Sequence, residues 1–313
     1  MRHFKQILFV AQGTSAEEAA LQRAVALADK NDARLTVTRV VAEPPPRLPT
    51  YGGDLTPNKL RDLLCEEAED TLKRLTATLP NERIQIETKV LMGSTFVAIV
   101  REVIDGQHDL VIKGAEEEKS PSALLFGSTD LHLLRKCPCP VWILKSTRAE
   151  RCQRVLAAVD PFVDDEDDEG LDRLILDLAT SLAQSDEGEL DIVHAWTLYA
   201  ERALRSRNIL PRQEIERMEA ATRSLHQERL HALLADYRLD PAKHRIHLVK
   251  GEAGEIIPRL AREREIDLIV MGTVARTGIP GFFIGNTAEQ ILSRVDCSVL
   301  AVKPEGFVTP VKT

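Results

Sequence analysis

The chain of 313 residues predicts a doubly wound α/β fold built twice in tandem. Each copy is expected to be a parallel five-stranded sheet with helices on both faces. Three observations lead there. The length accommodates two domains of about 150 residues each. Short apolar runs of strand length alternate with longer stretches that carry one apolar face. The second half also repeats the marks of the first. Asp109-Leu110-Val111-Ile112-Lys113-Gly114 returns as Asp267-Leu268-Ile269-Val270-Met271-Gly272, and Gly127-Ser128-Thr129 as Gly285-Asn286-Thr287, in both cases 158 residues on. Cys139, Val141 and Lys145 return as Cys297, Val299 and Lys303 at the same spacing, as does Gly93 as Gly251. Residues 7–10 match 155–158 at a spacing of 148, so an insertion separates the first and third strands. One spacing held across separated segments is the signature of a duplication. The boundary falls between Ser146 and Cys152, giving domains of residues 1–148 and 149–313.

The elements follow in order. Residues 6–11 form an apolar run short enough for a buried strand. Over residues 16–29, Ala20, Leu21, Ala24, Val25 and Ala28 fall on one helical face. Residues 34–40 alternate and are rich in β-branched side chains, which reads as a second strand. Pro44-Pro45-Pro46, Pro49 and Gly52-Gly53 make a loop. Residues 56–78 read as a long helix, 83–90 as strand three, 95–104 as a helix and 110–113 as strand four. A glycine-flanked loop, a helix from Ser128 and a strand over 141–144 close the first copy. The second copy repeats the order with strands at 155–159, 190–196, 244–249, 268–271 and 299–302. Its helices are expected at 171–184, around 213–237 and at 255–263, with another starting after Gly285. Buried parallel strands joined by helices give a Rossmann-like sheet wound on both faces. Such sheets bind ligands beyond the carboxyl ends of their strands, where the strand order reverses. The residues just after strands one, two and four of each copy are therefore the ones to inspect.

Composition removes several functional classes. Hydrophobic residues are 43% and charged residues 29%, ordinary for a globular chain. Forty-one Lys and Arg against forty-nine Asp and Glu give a net charge of −8, the wrong sign for coating nucleic acid or an anionic membrane. No apolar run approaches the roughly 20 residues of a membrane span. The run at residues 6–11 is too short for a signal-peptide core and no small-residue cleavage site follows it. Five cysteines, an odd and sparse set, do not make a disulfide framework and point to a reducing, cytoplasmic compartment. Cys137-Pro138-Cys139 supplies too few ligands for zinc and reads as two small buried thiols near a strand start.

After strand four of the second copy, residues 272–287 make a glycine-rich loop that runs into a helix. Glycines let backbone N–H groups approach an anion, and the helix start adds free donors. Asn286 and Thr287 place side-chain donors there. A phosphate fits this arrangement; so does a helix capped by Asn286 or Thr287 after a tight loop. No GxxxxGK[ST] loop and no GxSxG elbow occurs in the chain.

The duplicated block of strand, glycine loop, helix and strand resembles the universal stress protein family. The duplication itself resembles the tandem, E-type branch of that family, and the likeness covers essentially the whole chain. The resemblance implies a cytoplasmic stress-response role and, in nucleotide-binding members, a pattern after strand four of Gly, two residues, Gly, nine residues, Gly, then Ser or Thr. Met271 ends the strand, and Gly272 and Gly285 match the pattern. Ala275 stands at the middle glycine and Asn286 at the final Ser or Thr, with Thr287 beside it. Asp160 matches the acidic residue that the family places near the ribose and phosphates, and Ala195 the position whose backbone holds adenine. The resemblance thus implies that the second copy retains an altered nucleotide site for ATP or a related adenine nucleotide, one that could take Mg2+ with the nucleotide. In the first copy Gly114, Gly127 and Ser128 match, but Glu117 within Glu116-Glu117-Glu118 takes the middle position and Gln12 replaces the strand-one aspartate. Three carboxylates would repel a triphosphate, so this copy is not expected to bind ATP.

Other residues have plainer readings. The acidic run 164–169 precedes a helix and suits its N-terminus; beside Asp160 it could also bind a divalent cation. His244 and His247 face different sides of a strand, which disfavours a joint metal site. His194 reads as a packed, hydrogen-bonded histidine, and Phe282-Phe283-Ile284 as core or interface. The main functional expectation is a binding module that senses a nucleotide or other small ligand. A slow divalent-ion-dependent ATPase using Asp160, with Arg276 the available arginine, is the alternative, as is a carrier of an apolar ligand in the first copy's cleft. Single-domain relatives commonly dimerise through their last strands, so strands 141–144 and 299–302 are expected to pair within the chain, and the tandem chain could pair again as a homodimer.

Overall fold

The structure, a computed structural model, describes residues 4–13, 17–46, 56–77, 79, 83–116, 126–145, 151–161, 166–206, 210–273 and 285–312. The first half comprises β1 (Gln6–Ala11), α1 (Glu17–Asn31), β2 (Arg34–Val41), α2 (Pro57–Thr76), β3 (Ile86–Met92), α3 (Thr95–Asp105), β4 (Leu110–Gly114), α4 (Ser128–Lys136) and β5 (Val141–Leu144). The second comprises β6 (Arg154–Ala158), α5 (Glu166–Ser185), β7 (Glu189–Trp196), α6 (Glu201–Ser206), α7 (Arg212–Leu234), β8 (His244–Lys250), α8 (Ala253–Glu263), β9 (Leu268–Gly272), α9 (Asn286–Leu292) and β10 (Ser298–Val302).

The ten strands form one sheet in the order β3-β2-β1-β4-β5-β10-β9-β6-β7-β8. Within each half every pairing is parallel. The halves meet where β5 pairs antiparallel with β10, through Val299↔Ile143, Leu300↔Trp142 and Ala301↔Val141. This is the expected pairing of the two last strands, and it covers an edge on each half. The strand order reverses between β1 and β4 and again between β6 and β9.

Local chemistry accounts for the boundaries. Thr56 caps α2, its side chain accepting from the Lys59 N–H at 3.3 Å, and Pro57 occupies a first-turn position where its missing N–H costs nothing. β3 begins at Ile86 rather than at residue 83, because Leu35 of β2 is where its partner register starts. α5 begins at Glu166, five residues earlier than the apolar periodicity indicates, so part of the acidic run lies inside the helix instead of before it; carboxylates are favoured at a helix start. Pro258 lies within α8 and cannot donate to the Gly254 carbonyl one turn back. Arg294 Nη1 donates to that carbonyl instead, at 3.2 Å. The repeated aspartates pin strand starts. Asp109 accepts from the N–H groups of Lys5 and Gln6, and Asp267 from that of Arg154, fixing the start of the neighbouring strand in each half.

Two apolar layers sandwich the sheet. One packs α1, α2, α5 and α7 against one face; the other packs α3, α4, α8 and α9 against the opposite face. Both run without interruption from one half to the other, and Trp142 of β5 and Leu300 of β10 share the first. A buried ion pair adds to the junction. Arg23 Nη1 of α1 lies 2.6 Å from Asp186 Oδ2 beyond α5, with side-chain exposures of 3% and 2%. The same carboxylate oxygen accepts from the Cys152 N–H at 2.8 Å, and the Arg23 guanidinium stands 4.9 Å from the Trp142 ring centre.

Candidate functional site

The register of the second half sets the site. Ala158 at the end of β6 pairs with Met271 of β9 and with Val193 of β7. Two residues further on, Asp160, Ala195 and Thr273 therefore stand together at one end of the sheet, astride the point where the strand order reverses. Asp160 is held by its backbone, whose N–H donates to Asp172 Oδ1 at 3.0 Å. Its side chain remains 40% exposed. Ala195 is half-buried on the neighbouring strand. Met271 turns its side chain into the core, so only its backbone is available to a ligand.

A buried polar chain backs Asp160. Its Oδ1 lies 3.7 Å from His194 Nδ1, which is also 3.3 Å from the Val159 carbonyl. His194 Nε2 lies 2.7 Å from Nδ1 of His226 on α7. The Trp196 ring stacks on His226 at 5.6 Å. Burial pushes the His226 imidazole below its ordinary value, against the pull of Asp160. A hydrogen bond between two neutral imidazoles needs one donor and one acceptor, so the pair fixes each tautomer by the other. The expectation of a packed, hydrogen-bonded His194 is met, but sequence reasoning misses its partner. His226 shares the inward stripe of α7 with Leu230, Leu233 and Leu234, and that spacing is the available signal.

The glycine loop is anchored at its foot. Gly285 N–H donates to the Thr273 carbonyl at 3.2 Å. Gly285 itself is the cap of α9, so neither Asn286 nor Thr287 caps that helix; both lie exposed in its first turn. A Cβ at Gly272 would come 2.9 Å from Leu171 Cδ2, so a larger residue there would push the end of that side chain aside. Thr273 Oγ1 donates to the Leu134 carbonyl of α4 at 2.9 Å and accepts from Lys303 Nζ at 2.5 Å. Lys303 also donates to the Leu134 carbonyl at 2.5 Å, and burial lowers its pKa to about 8. Ala275, Arg276 and Phe282-Phe283-Ile284 lie outside the described residues, as does Glu117 of the first half.

The corresponding place in the first half is filled by the chain itself. Glu116, just beyond β4, folds its carboxylate onto the start of α4, where Oε2 accepts from the Thr129 N–H at 3.3 Å. A Cβ on Gly127 would collide with that carboxylate, so glycine there leaves room for it. Lys113, fully buried, pairs with the equally buried Asp130 and lies 3.9 Å from Glu116 Oε1. The Glu116 N–H donates to Asp130 Oδ2 at 2.9 Å. The equivalents of Lys113 and Asp130 in the second half are Met271 and Ala288, both apolar. A carboxylate thus sits against one of the helix N–H groups that a phosphate would use.

His247 bonds Asp191, whereas His244 Nδ1 accepts from the Asp240 N–H at 2.6 Å, so the two histidines serve separate contacts as their alternation implies. Among the described residues no group of three or more His, Cys, Asp or Glu side chains is placed to hold a metal ion, and no helix is long and apolar enough to cross a membrane.

Known proteins share this architecture. The profile of the Universal stress protein family matches twice, over residues 3–145 and 152–303. Universal stress protein E of Escherichia coli K12 is 35% identical over 234 residues, covering 74% of this chain and 72% of that one. The Universal stress protein E homolog of Haemophilus influenzae is 27% identical and covers 96% of this chain and 98% of its own. Among solved structures, the functionally unknown protein PA1789 from Pseudomonas aeruginosa PAO1 superposes with a TM-score of 0.71 at 26% identity, covering 98% of this chain and 95% of that one. A universal stress protein from Archaeoglobus fulgidus reaches 0.65 at 17% identity over 95% and 98% of the two chains, a likeness of fold. With two matched copies, one ten-stranded sheet and a strand-order reversal in each half, the chain belongs to the Universal stress protein family and carries that family's domain in tandem.

Proposed function

We propose that the second half binds an adenine nucleotide, ATP or a relative, in the cleft bounded by Asp160, Ala195, Gly272 and Gly285, and that the protein acts in the stress response as a sensor or protective regulator rather than as a catalyst. One observation carries the reading: the second half brings Asp160 and the foot of a glycine loop to the same strand end, while the first half fills the equivalent place with its own Glu116. Asn286 and Thr287 lie exposed beside the loop, where they can donate to phosphate oxygens, and Ala275 belongs to the same loop by sequence. Asp160 is the carboxylate that a Mg2+ carried by the phosphates would meet.

On this reading residues 1–148 and 149–313 are two domains with different roles, one closed and one receptive. The protein works in the cytoplasm on a small molecule, without nucleic acid, and two chains can pair as a homodimer. An apolar cargo in the first half is disfavoured by Glu116, whose partly exposed carboxylate lies over the start of α4. Isothermal titration of the full chain with MgATP tests the proposal. One site per chain is expected, lost in Asp160→Ala and kept in Glu116→Ala. Binding that survives Asp160→Ala unchanged would place the nucleotide elsewhere. Phosphate release that vanishes in the same variant would favour the ATPase.

A further inference from the structure

The Cys137-Pro138-Cys139 segment plays no part in the nucleotide reading, yet it holds the closest pair of thiols in the described structure. The two Sγ atoms are 3.6 Å apart. Both residues are buried, and neither is engaged in a disulfide. The chain leaves α4 at Cys137 in an extended conformation and bends through Pro138 and Cys139 before entering β5. Proline between them restricts the backbone, so the two side chains are presented together instead of sampling separate directions. A disulfide needs about 2.05 Å between sulfurs, so the two must close from 3.6 Å.

We propose that Cys137 and Cys139 are a peroxide-responsive dithiol, which closes to an intramolecular disulfide on meeting a hydroperoxide and reopens with a small-molecule thiol.

The surroundings assign different parts to the two sulfurs. Burial alone would push the Cys137 thiol up, but the hydrogen bond from Cys139 and the positive charge of Lys303 outweigh it, and Cys137 is held below its ordinary value. Burial and the neighbouring Cys137 push Cys139 well up. In the proposal Cys137 takes the nucleophile's part and Cys139 the proton's, an assignment that sulfenic-acid trapping tests. Cys139 keeps 8% of its area exposed and Cys137 none, so the oxidant enters from the Cys139 side. In the first step the Cys137 thiolate attacks one oxygen of the hydroperoxide. The O–O bond breaks, Cys137 becomes a sulfenic acid, and the departing oxyanion takes the Cys139 proton, leaving as water when the oxidant is hydrogen peroxide. The Cys139 thiolate then attacks the Cys137 sulfur, the S–O bond breaks and hydroxide leaves. The peroxide is reduced by two electrons and the two sulfurs each lose one.

The other buried cysteines serve as controls. Cys152 and Cys297 have no thiol beside them, and burial pushes each to about 12. The pair also adjoins the second half's loop, because Lys303 spans from Leu134, three residues before Cys137, to Thr273. Neither sulfur needs a nucleotide in that loop in order to react.

Peptide mass spectrometry provides the test. Cleavage after Lys136 and Lys145 releases residues 137–145, which contain these two cysteines and no others. The full folded chain is treated with a small excess of hydrogen peroxide, quenched, alkylated and digested. The expected result is a 137–145 peptide lighter by two hydrogens that takes alkyl groups only after dithiothreitol, while Cys152 and Cys297 are alkylated throughout. In Cys139→Ser, dimedone should capture a sulfenic acid at residue 137. A 137–145 peptide alkylated at both thiols under conditions that already oxidise Cys65 would overturn the proposal, as would a loss of hydrogens that appears only when Cys152 and Cys297 react as well. The wild-type measurement decides the matter even if the variant does not fold.

Discussion

Lys145 and Lys303 are counterparts in the repeat, and each crosses the junction to a carbonyl of the other half. Lys145 Nζ donates to the Val295 carbonyl at 2.9 Å, just past α9, and Lys303 Nζ to the Leu134 carbonyl at 2.5 Å, near the end of α4. Each ammonium thus meets the negative end of a helix from the opposite copy. The duplication has turned one residue type into two reciprocal ties.

These lysines set a pH dependence. Burial lowers both from 10.5 to about 8. Between those values the unfolded chain binds more protons than the folded one, so stability rises with pH; below about 8 the lysines are charged in both states and the gain is gone. Above 9.0 the thiols of Cys152 and Cys297, pushed up to about 12, act in the opposite sense. Urea denaturation should therefore show a midpoint that climbs from about pH 8 to pH 9. Lys303→Met should flatten that climb without abolishing it, since Lys145 retains its share.

The Arg23–Asp186 pair should be costly to break. Arg23→Ala leaves a carboxylate buried without its main counter-charge, a loss of about 3–5 kcal/mol in comparable cases. Removing both partners together should cost less than the sum of the two single changes, because the desolvated charge then disappears as well. Trp142→Ala, which opens a void under the Arg23 guanidinium, should cost about 3–5 kcal/mol. Equilibrium denaturation of the four variants, Arg23→Ala, Asp186→Ala, the double change and Trp142→Ala, checks the set.

Glu116 should behave as a built-in anion. Glu116→Ala frees the start of α4 and leaves Lys113 beside it, so inorganic phosphate should stabilise the variant and leave the wild-type first half unaffected. At a phosphate concentration of about 100 times its dissociation constant the gain would be about 2.7 kcal/mol. A melting temperature of Glu116→Ala that stays flat across a phosphate titration would show that the carboxylate fills no anion position.

The histidine pair predicts sensitivity to acid. Burial holds His226 below 6.5, so the unfolded chain takes up a proton first as the pH falls through that value, and stability declines. His132 and His244 are lowered by burial as well and contribute in the same direction. His226→Gln should reduce the acid slope of the unfolding free energy below pH 6.5 by up to one proton, leaving the part due to the other two.

The framework is legible because buried parallel strands are nearly continuous apolar runs. Val141–Leu144 and Leu110–Gly114 declare themselves in this way, and the repeated aspartates and glycines give the spacing between copies. The short helix Glu201–Ser206 is not legible, since it buries no residue and so leaves no apolar period to detect. Asp160 and Gly272 can be placed at strand ends from sequence because strand ends follow from strand runs. The partners of Glu116 and His194 cannot. Thr129 lies thirteen residues from Glu116 and His226 thirty-two from His194, and only the packed fold decides which side chain turns toward which. The acidic triplet suggests repulsion of a phosphate; the fold shows one of its carboxylates accepting from the Thr129 N–H at the start of α4.

The antiparallel seam between β5 and β10 has a geometric consequence. Each half is internally parallel, so reversing direction at the seam sends the carboxyl ends of β1 and β4 to one rim of the molecule and those of β6 and β9 to the opposite rim. The two mouths look away from each other. A bulky molecule docked over one leaves the other uncovered.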